Sequence, residues 1–534
     1  MYSGASVIVL IFLASFSNAS VNSHSSKTGL KYFYKDHLDQ GVCLQEAPCR
    51  PIHNATCFGT ILPYSFTSLA LAEDSLSHFE VQDNLALWQG LRSVPRCWAV
   101  VQPLLCAVYM PKCENGSIFL PSQEMCRITR GPCKSVEVKH SWPSFLRCEN
   151  KKLFPPRCRN PLQEVKFNTS YKCIPPLVET DNKDNWFHEV EGCGIQCQNP
   201  FFTEEEHDNN HFLIKIFAGA CFAMGLFAVV TSLIRWKAAN RYPGVIIFYI
   251  NICVMVASFG WLIQFFPGAR ERIVCRHDGT MHLHQPSSGE HLCSLTFVLV
   301  YAGVVAAVVW FIILTYAWYL LVVRASGSPK DIIKKKHSSF HSAAWSLSIA
   351  LTVIIMGMKG VDGDSMSGIC FVGYDDVYLR MGFLLIPLLV AGFISLGFLV
   401  AVLHKLIKEK LNSEEVANIQ VKKNIQCMTV RIALFTVLAM GFIITTLGCH
   451  LYDFLHREEW QESLREYIVC LAMNSAQSYL NMGEMPATKC VLKSKPSIFV
   501  IRLHLVSMFG FGFMMSSWFY TRRSLESWKR FIYR

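Results

Sequence analysis

Polar and apolar positions divide the chain into two regions of different pattern. Up to about residue 210 apolar residues are mixed with polar residues and cysteines, whereas seven long apolar runs follow. Each run reaches or nearly reaches the roughly 20 residues that a helix needs to cross about 30 Å of hydrocarbon. A buried core helix could explain one such run but not seven in succession, so we predict seven membrane-spanning helices. The runs cover 212–234, 244–266, 293–321, 341–358, 379–403, 432–455 and 498–520.

The composition excludes a purely cytosolic enzyme and a disordered or collagenous chain. Of the 534 residues 51% are hydrophobic and only 17% are Asp, Glu, Lys or Arg, against roughly 25% charged residues in soluble globular proteins. The formal net charge of +11 would suit either nucleic acid or the cytoplasmic loops of a membrane protein. The distribution of the basic residues along the chain decides between these two explanations of the charge.

Basic residues concentrate in alternate connectors between the runs and in the tail, while the other connectors are mixed or acidic. The positive-inside rule therefore places the basic connectors and the tail in the cytoplasm. There they face anionic lipid of the inner leaflet, so no nucleic acid is needed as a partner. The basic residues include Arg235, Lys237 and Arg241, Arg324, Lys330 and 334–336, Lys405, Lys408, Lys410, Lys422 and Lys423, and Arg522, Arg523, Lys529, Arg530 and Arg534.

The N-terminus has the pattern of a secretory signal peptide. The apolar run Val7–Phe16 is too short to span a bilayer, and Ser17-Asn-Ala19 is a small-x-small cleavage site. We therefore predict a signal peptide at 1–19, the alternative being a disordered start. Glycosylation sequons at Asn54, Asn115 and Asn168 agree with this route. A chain that starts outside and crosses seven times ends inside, as the charges also indicate.

The cysteine count tests this topology independently. Thirteen cysteines precede the first run, and an odd number cannot pair within itself. Five more lie in the predicted outside loops, which allows nine disulfides: Cys275, Cys293, Cys370, Cys470 and Cys490. The other four, Cys221, Cys253, Cys427 and Cys449, fall in the runs or near the inner side. Cys193 and Cys197 could instead bind zinc, but an oxidising compartment favours disulfides.

The region before the first run is thus predicted to be a disulfide-framed module of about 140 residues followed by a short linker. Its pattern is mixed, with helix-like segments around 66–92 and 97–110. Spacing alone does not reveal which cysteines pair.

Several long motifs resemble the Frizzled/Smoothened family of seven-helix receptors. They are CWAVVQPLLCAVYMPKCEN at 97–115, EGCGIQCQNPFFTEEE at 191–206, VVWFIILTYAW, VDGDSMSGICFVGY, CHLYDF and MFGFGFMMSSW. The resemblance implies a mainly α fold, in which a disulfide-rich, mostly helical Frizzled-type cysteine-rich domain and a short linker precede a seven-transmembrane bundle. The cysteine-rich domain would cover 20–158 and the linker 159–210. The seven-transmembrane bundle would cover 211–521, followed by an amphipathic juxtamembrane helix at 522–534.

The resemblance also implies the disulfide pairs. They are Cys43–Cys158, Cys49–Cys113, Cys57–Cys106, Cys97–Cys133, Cys126–Cys148, Cys173–Cys193, Cys197–Cys275, Cys293–Cys370 and Cys470–Cys490.

Two sterol or ligand sites follow from the resemblance. In the cysteine-rich domain, Leu87, Trp88 and Tyr109 would form flat apolar walls and Asp74 would accept the sterol hydroxyl proton. The alternatives are that Trp88 belongs to the core and that Asp74 lies in a solvated turn.

In the bundle, the resemblance implies a ligand pocket at Tyr374, Arg380 and Asp453. An ionisable group at membrane depth is costly unless it faces the bundle or a cavity, which makes Asp453 a candidate by default. Arg380 could instead extend to the interface. The family commonly has a basic residue where Asp375 stands and an acid where Ile501 stands, so we do not transfer small-molecule sensitivity.

A conformational switch is the third implied site. In the family the positions of Arg431 and Trp518 form a cation–π contact that holds the inactive state, and the resemblance adds Trp310 to this switch. Such a contact contributes about 0.5–2 kcal/mol. Alternatively, Arg431 follows the positive-inside rule and Trp518 belongs to an aromatic belt.

The tail 522–534 is predicted to be a basic amphipathic helix on the inner leaflet, with Leu525, Trp528 and Phe531 on one face. Relatives usually continue into a long regulatory tail, so we expect this chain to be a fragment or an abbreviated form.

The resemblance implies a G-protein-coupled-type receptor, not an enzyme, that transduces the Hedgehog signal at the plasma membrane, a cilium or an endosome. It would bind a sterol and no cofactor or metal, and Patched would restrain it. Membrane lipid, a heterotrimeric G protein and pathway kinases or scaffolds are further implied partners.

Two alternatives remain. A Frizzled-type receptor would bind lipidated Wnt, although the extra linker cysteines favour the Hedgehog branch. A membrane transporter would show internal repeats and interrupted helices, whereas this chain shows no repeat and only Pro387 interrupts a run centrally.

Overall fold

The computed structural model of the protein describes residues 42–52, 55–71, 78–134, 146–170, 172–187, 190–283, 291–324, 332–333, 335–412, 419–479, 489–520 and 522–532. The chain forms two compact units. The N-terminal unit comprises Met1–Ile174, Trp186–Cys193 and Cys470–Thr488, and the bundle unit comprises Pro175–Asn185, Gly194–Val469 and Lys489–Arg534.

The helix Pro95–Tyr109 forms the centre of the N-terminal unit. A proline at its first position suits a helix start, where the backbone N–H would be unpaired anyway. Trp98, Leu104 and Leu105 on this helix are fully buried. The other helical segments of the unit are His78–Leu87, Trp88–Ser93, Gln123–Arg130 and Pro161–Gln163.

Short strands frame this helical core. The strands β1 (Leu44–Glu46), β7 (Ser117–Phe119) and β6 (Cys113–Glu114) form an antiparallel sheet in that order. Two small ladders pair β2 (Arg50–Pro51) with β5 (Phe66–Thr67) and β3 (Thr56–Cys57) with β4 (Thr60–Ile61). The prediction of a helix from about residue 66 was therefore wrong at its start. Phe66 and Thr67 are extended because they pair with Pro51 and Arg50, and the helix among the described residues covers His78–Leu87.

Disulfides connect these elements. Six bonds lie in the N-terminal unit: Cys43–Cys158, Cys49–Cys113, Cys57–Cys106, Cys97–Cys133, Cys126–Cys148 and Cys173–Cys193. Cys197–Cys275 and Cys293–Cys370 lie in the bundle unit. Cys470 and Cys490 are each disulfide-bonded as well, and their mutual pairing stays a prediction. The strands β8 (Leu177–Glu179), β9 (Trp186–Phe187) and β10 (Val190–Ile195) lie in the linker that carries Cys193.

Among the described residues, seven helices are long and apolar enough to cross a membrane, which confirms the predicted number. We call them spans 1 to 7. They cover Glu204–Ile234, Gly244–Phe265, His291–Val322, His337–Gly357, Val377–Leu411, Gln426–Leu471 and Ile498–Phe519. Shorter helices are Trp236–Ala239 and Ala269–Val274.

Several spans are longer than their apolar runs, most clearly spans 1, 5 and 6. Span 1 starts at Glu204 because Thr203 and Glu206 form a capping box, in which each side chain accepts from the other residue's backbone N–H. Span 6 belongs to a helix that runs over Ile419–Tyr479, well beyond the predicted 432–455. Charged residues such as Glu458 and Glu459 end the apolar run but are good helix formers, so the helix continues through them.

Spans 3 and 5 each contain a π-helical turn, at Val298–Ala302 and Met381–Leu385. Side chains of neighbouring spans satisfy carbonyls of these turns. The Tyr301 hydroxyl donates to the Phe383 carbonyl at 2.8 Å, and the Ser348 hydroxyl donates to the Ala302 carbonyl at 2.8 Å. One π turn is thus hydrogen-bonded to the other. In proteins generally, π-helical turns inside α-helices are frequent at functional sites.

The tail forms a helix over Arg522–Ile532, close to the predicted 522–534. Its Trp528 stacks on Phe227 of span 1, with ring centroids 5.7 Å apart. The Trp528 indole N–H also donates to the Thr231 hydroxyl at 2.9 Å. Trp528 therefore attaches the tail helix to the end of span 1, and Arg235, directly after that span, donates to the Ser524 hydroxyl at 3.5 Å.

Candidate functional site

A β-hairpin between spans 4 and 5 provides one wall of the candidate site. The strands β11 (Val361–Asp364) and β12 (Ile369–Val372) pair antiparallel, with Val361 opposite Val372. The disulfide Cys293–Cys370 ties β12 to the start of span 3. This support fixes the chain just before Gly373 and Tyr374, where the polar residues of the site begin.

Arg380 and Asp453 form the centre of the site, which we call the bundle pocket together with Tyr374. The guanidinium of Arg380 lies 2.7 Å from the Asp453 carboxylate, and the two side chains are 11% and 32% exposed. Arg380 also donates to the carbonyls of Gly373 at 2.9 Å and Tyr374 at 3.2 Å. The structure therefore brings together the three predicted ligand residues, and Arg380 does not extend freely to an interface.

Tyr374 offers a neutral hydroxyl beside this ion pair. Its oxygen accepts an N–H from the Asn199 side chain at 3.0 Å, and the Arg380 guanidinium lies 5.9 Å from its ring centroid. Burial and the nearby Asp364 carboxylate raise the pKa of Tyr374 above its ordinary value. The hydroxyl therefore stays protonated and keeps a proton to donate at physiological pH.

Asp375, which departs from the family pattern, has a basic partner of its own. Arg457 of span 6 donates to the Asp375 carbonyl at 2.8 Å and lies 3.8 Å from its carboxylate. The Asp375 N–H donates to Asp362 at 2.9 Å. The loop before span 5 is thus tied to span 6 by an arginine that our sequence analysis did not single out.

Two histidines, one on span 6 and one on span 7, lie side by side. The rings of His450 and His504 meet edge to face, with centroids 4.6 Å apart. His450 precedes Asp453 by about one helical turn on span 6. The Nε2 atom of His450 is buried and has no hydrogen-bond partner among the described residues. Spacing along the sequence could not reveal this pair because the two residues come from different spans.

The predicted switch residues Arg431 and Trp518 are in contact. The guanidinium carbon of Arg431 lies 4.8 Å from the Trp518 ring centroid. Trp318 and Phe435, which the sequence analysis missed, lie 5.6 and 5.7 Å from the same ring, centroid to centroid. Both lie in apolar runs, and Trp318 also ends the motif VVWFIILTYAW, but nothing in the sequence placed either ring beside Trp518.

Trp310 lies in a different cluster of rings. It is 1% exposed and stacks on Tyr249 with centroids 4.8 Å apart. His341 and Trp345 of span 4 pack edge-on against it. Trp310 belongs to the same buried core as Trp518's neighbours Trp318 and Phe435, but its ring contacts are with spans 2 and 4.

The predicted sterol residues of the N-terminal unit are only partly described. Asp74 lies outside the described residues. Leu87 is 57% exposed, whereas Tyr109 is 6% exposed. Trp88 is half-buried at the junction between the helix His78–Leu87 and the following 3-10 turn. Leu87 and Trp88 thus offer adjacent apolar surface, while Tyr109 belongs to the core of the unit.

Two of the three sequons lie in the described part of the chain. Asn115 is exposed at the tip between β6 and β7, with a positive φ of 50°. Asn168 is exposed, and its side chain accepts the Ser170 N–H at 3.0 Å. Asn54 lies outside the described residues. Both described asparagines are accessible to a modifying enzyme.

Within the described residues, the free cysteines are Cys221, Cys253, Cys427 and Cys449, and only Cys427 is exposed. No group of three or more His, Cys, Asp or Glu side chains with metal-binding geometry occurs in the described part of the chain.

Comparison with known families gives the class of the protein. Residues 201–534 match the Frizzled/Smoothened family membrane region, and residues 49–157 match the Fz domain. The chain therefore belongs to the Frizzled/Smoothened family of multi-pass membrane proteins.

Among individual relatives, the chain is similar to proteins named Protein smoothened. It is 46% identical to that of Danio rerio, with 92% of this chain and 60% of the relative covered. The identity to that of Homo sapiens is 46%, with 91% and 62% covered. Frizzled-5 of Xenopus laevis is 24% identical, with 82% and 79% covered. The chain thus spans about 60% of the length of the Smoothened relatives.

A solved structure, titled as the crystal structure of the Smoothened CRD, is 57% identical and has a TM-score of 0.21. It covers 22% of this chain, and 99% of the solved chain is covered.

Proposed function

We propose that the chain is a Smoothened-type receptor that transmits the Hedgehog signal across the plasma membrane, under the control of a sterol. The observation that carries this proposal is the 46% identity to Smoothened relatives over 92% of the chain, against 24% to Frizzled-5. The basic connectors and tail support an extracellular N-terminus and a cytoplasmic C-terminus. This orientation would agree with a signal peptide at 1–19 and with glycans on the extracellular residues Asn54, Asn115 and Asn168.

The bundle pocket is the first proposed sterol site. A sterol needs apolar walls and a polar partner for its single hydroxyl. Tyr374 supplies a neutral hydroxyl, and the Asp453 carboxylate, 32% exposed, can accept a hydrogen bond from the sterol hydroxyl. The ion pair with Arg380 keeps Asp453 oriented, so that one end of the ligand is fixed while the rest contacts apolar side chains.

The second proposed sterol site lies in the N-terminal unit. Exposed Leu87 and half-buried Trp88 supply adjacent apolar surface, and Asp74 would accept the sterol hydroxyl. Tyr109 would support this surface from the core. Because this unit has its own disulfides and its own buried helix, its sterol binding can be measured separately from that of the bundle pocket.

The Arg431–Trp518 contact is the proposed brake on activation. A cation–π contact contributes about 0.5–2 kcal/mol, which corresponds to a bias of roughly two-fold to thirty-fold between two conformations. A sterol that binds the active conformation more tightly by a similar factor would overcome it. Trp310, which packs between spans 2 and 4, would not form this contact itself. It would transmit conformational changes of those spans to it.

The proposed partners follow from the receptor's place in the membrane. Patched would restrain the receptor by limiting the accessible sterol. A heterotrimeric G protein and pathway kinases or scaffolds would bind the cytoplasmic elements. The tail helix would contact inner-leaflet lipid through its basic residues, and the receptor would reside at the plasma membrane, a cilium or an endosome.

The test uses cells that lack their own Smoothened and carry reporters for Hedgehog and Wnt signalling. We expect the expressed chain, joined to the long tail of a Smoothened relative, to restore the Hedgehog response. Asp74→Asn and Asp453→Asn should each weaken the response to sterol, whereas the matched controls Asp83→Asn and Asp208→Asn, at exposed positions, should not. A response of the Wnt reporter alone, or solute transport by the purified chain in liposomes, would overturn the proposal.

A further inference from the structure

Three side chains hold the turn of the β11–β12 hairpin by its carbonyl groups. His211 Nε2 lies 2.8 Å from the Ser365 carbonyl, Asn210 donates to the Met366 carbonyl at 2.7 Å, and Gln264 donates to the Ser367 carbonyl at 3.0 Å. Asn210 and His211 belong to span 1 and Gln264 to the end of span 2. We call Asn210, His211 and Gln264 the turn clamp. Three successive carbonyls are thus bound from two spans.

The turn is built to present these carbonyls. The Asp364 carboxylate accepts the backbone N–H groups of Met366 at 3.0 Å and Ser367 at 3.1 Å. The donors of the turn are therefore used within the turn, and its acceptors are left for the clamp. Gly368 has a φ of 72°, and a Cβ at this position would collide with the Gln264 side-chain oxygen. Only glycine allows the clamp to approach so closely.

The clamp residues leave their other polar atoms without partners. Asn210, His211 and Gln264 are 0%, 6% and 2% exposed. Asn210 Oδ1, His211 Nδ1 and Gln264 Oε1 are buried and have no hydrogen-bond partner among the described residues. Unpaired buried acceptors are unfavourable and uncommon. Among the described residues, Asn210 and His211 make their side-chain hydrogen bonds to the turn, and Gln264 donates to the turn and to the Trp261 carbonyl.

Hydrogen bonds through Asn199 and the hairpin backbone connect the turn to the bundle pocket. The Ser365 hydroxyl accepts the Asn199 N–H at 2.9 Å, and the Asn199 side chain donates to the Tyr374 hydroxyl. The hairpin then leads directly to Gly373 and Tyr374, whose carbonyls hold Arg380. A displacement of the turn would shift the Tyr374 hydroxyl and the acceptors of Arg380 together.

We infer that the turn clamp is a positioning device for the bundle pocket: Asn210, His211 and Gln264 set the place of Tyr374 and Arg380 for a bound sterol. This inference rests on the proposed function. Among the described residues no hydrogen bond or ion pair joins the clamp to Tyr374, Arg380 or Asp453, so the clamp acts through the hairpin. The disulfide Cys293–Cys370 holds the same hairpin at another point, so loss of one clamp bond should loosen the pocket without unfolding it.

The experiment labels the purified full chain in nanodiscs with a photoactivatable cholesterol analogue. Mass spectrometry then counts labelled peptides of the bundle pocket and, as an internal reference, of the N-terminal unit. Hydrogen exchange of the amides of 361–372 is measured in parallel. The variants are Asn210→Ala and Gln264→Met, with Asn209→Ala as the matched control, because Asn209 is the exposed neighbour of Asn210.

We expect Asn210→Ala and Gln264→Met each to raise the analogue concentration for half-maximal pocket labelling about ten-fold, as loss of a buried hydrogen bond can do. Exchange of the hairpin amides should become faster, and labelling of the N-terminal unit should not change. Asn209→Ala should behave like the unchanged chain. If Asn210→Ala fails to fold, the test rests on Gln264→Met, which nearly preserves the side-chain volume.

Faster hairpin exchange with unchanged pocket labelling would overturn the inference, as would unchanged exchange in both variants. An equal loss of labelling in both units would also overturn it, since that result indicates general destabilisation. Failure of the unchanged chain to label its pocket at all would instead refute the proposed sterol site. The two failures are therefore distinguishable.

Discussion

The Arg431 guanidinium lies over the face of the Trp518 indole, 4.8 Å from its centroid. Trp318 and Phe435 pack against the same indole, so its place does not depend on Arg431 alone. The arginine adds a contact between spans 6 and 7 that can be lost while the aromatic packing remains. This arrangement suits a contact that forms in one conformation and breaks in another.

Replacing Trp518 with Leu should raise ligand-free signalling several-fold, because it removes a contact worth about 0.5–2 kcal/mol. The measurement is Hedgehog-reporter output at equal surface expression. Trp236→Leu serves as the control, because Trp236 is another partly exposed tryptophan, 40% exposed, outside this cluster. Unchanged ligand-free output from the Trp518 variant would refute the brake.

Asp453→Asn should destabilise the bundle by about 1–3 kcal/mol, since it leaves the largely buried Arg380 without its ionic partner. Thermal unfolding of the purified chain in detergent measures the loss. The double variant Arg380→Leu, Asp453→Leu should recover most of the stability while losing the sterol response, because an apolar pair removes both desolvation costs. Glu459→Gln, at an exposed position of the same helix, should change neither quantity. A double variant no more stable than Asp453→Asn would contradict this account of the pair.

Tyr301→Phe should cost about 1–2 kcal/mol of stability, because the Phe383 carbonyl loses the hydroxyl that donates to it. Amides within 298–302 should also exchange faster with solvent. Tyr319→Phe is the matched control on the same span. Equal stability and exchange in the two variants would show that the hydroxyl does not hold the π turns.

Acid should weaken the contact between the linker and the loop after span 2. Burial raises the pKa of Asp278, but hydrogen bonds from Thr180 and Thr280 outweigh this effect and hold the pKa below its ordinary value. A carboxyl group with a lowered folded-state pKa stabilises the folded protein at pH values above its unfolded-state pKa of about 3.9. This stabilisation is lost as the pH falls through the folded-state pKa.

The measurement is the exchange of amides in 177–182 and 275–281 between about pH 6 and pH 3. Exchange relative to the intrinsic rate should increase only at the acid end of this range. Asp278→Asn should remove most of this pH dependence, and the exposed Asp184→Asn should preserve it. A pH dependence that is the same in both variants would assign it to other carboxyl groups.

Hydropathy predicted the seven spans because lipid imposes a length and an apolar composition on each one locally. The ends of the spans were less predictable. Span 1 starts earlier because Thr203 caps it, and the helix of span 6 continues past Glu458 because helix formation does not require apolar residues. Both ends are set by hydrogen bonding and helix propensity rather than by hydropathy.

The resemblance implied Tyr374, Arg380 and Asp453 as one pocket, but the sequence did not show which of these side chains contact each other. Asp453 was a candidate from its depth in the membrane alone, but its partner Arg380 lies 73 positions away, and only the folded chain joins them. The resemblance supplied Arg431 and Trp518, whereas Trp318, although part of a quoted motif, and Phe435 gave no sign that they pack against Trp518. The turn clamp was not predictable because its bonds end on backbone carbonyls, which carry no sequence signal.

The π turns in spans 3 and 5 also change which residues share a face of these helices. Each wide turn contains one residue more than a regular turn, which rotates all later side chains by about 100° around the axis. A helical wheel drawn from Cys293 through to Trp318 as one regular helix would therefore assign Trp318 to the wrong side. Cysteine-scanning accessibility along span 3 should show a break in periodicity between Val298 and Ala302, with each half regular by itself.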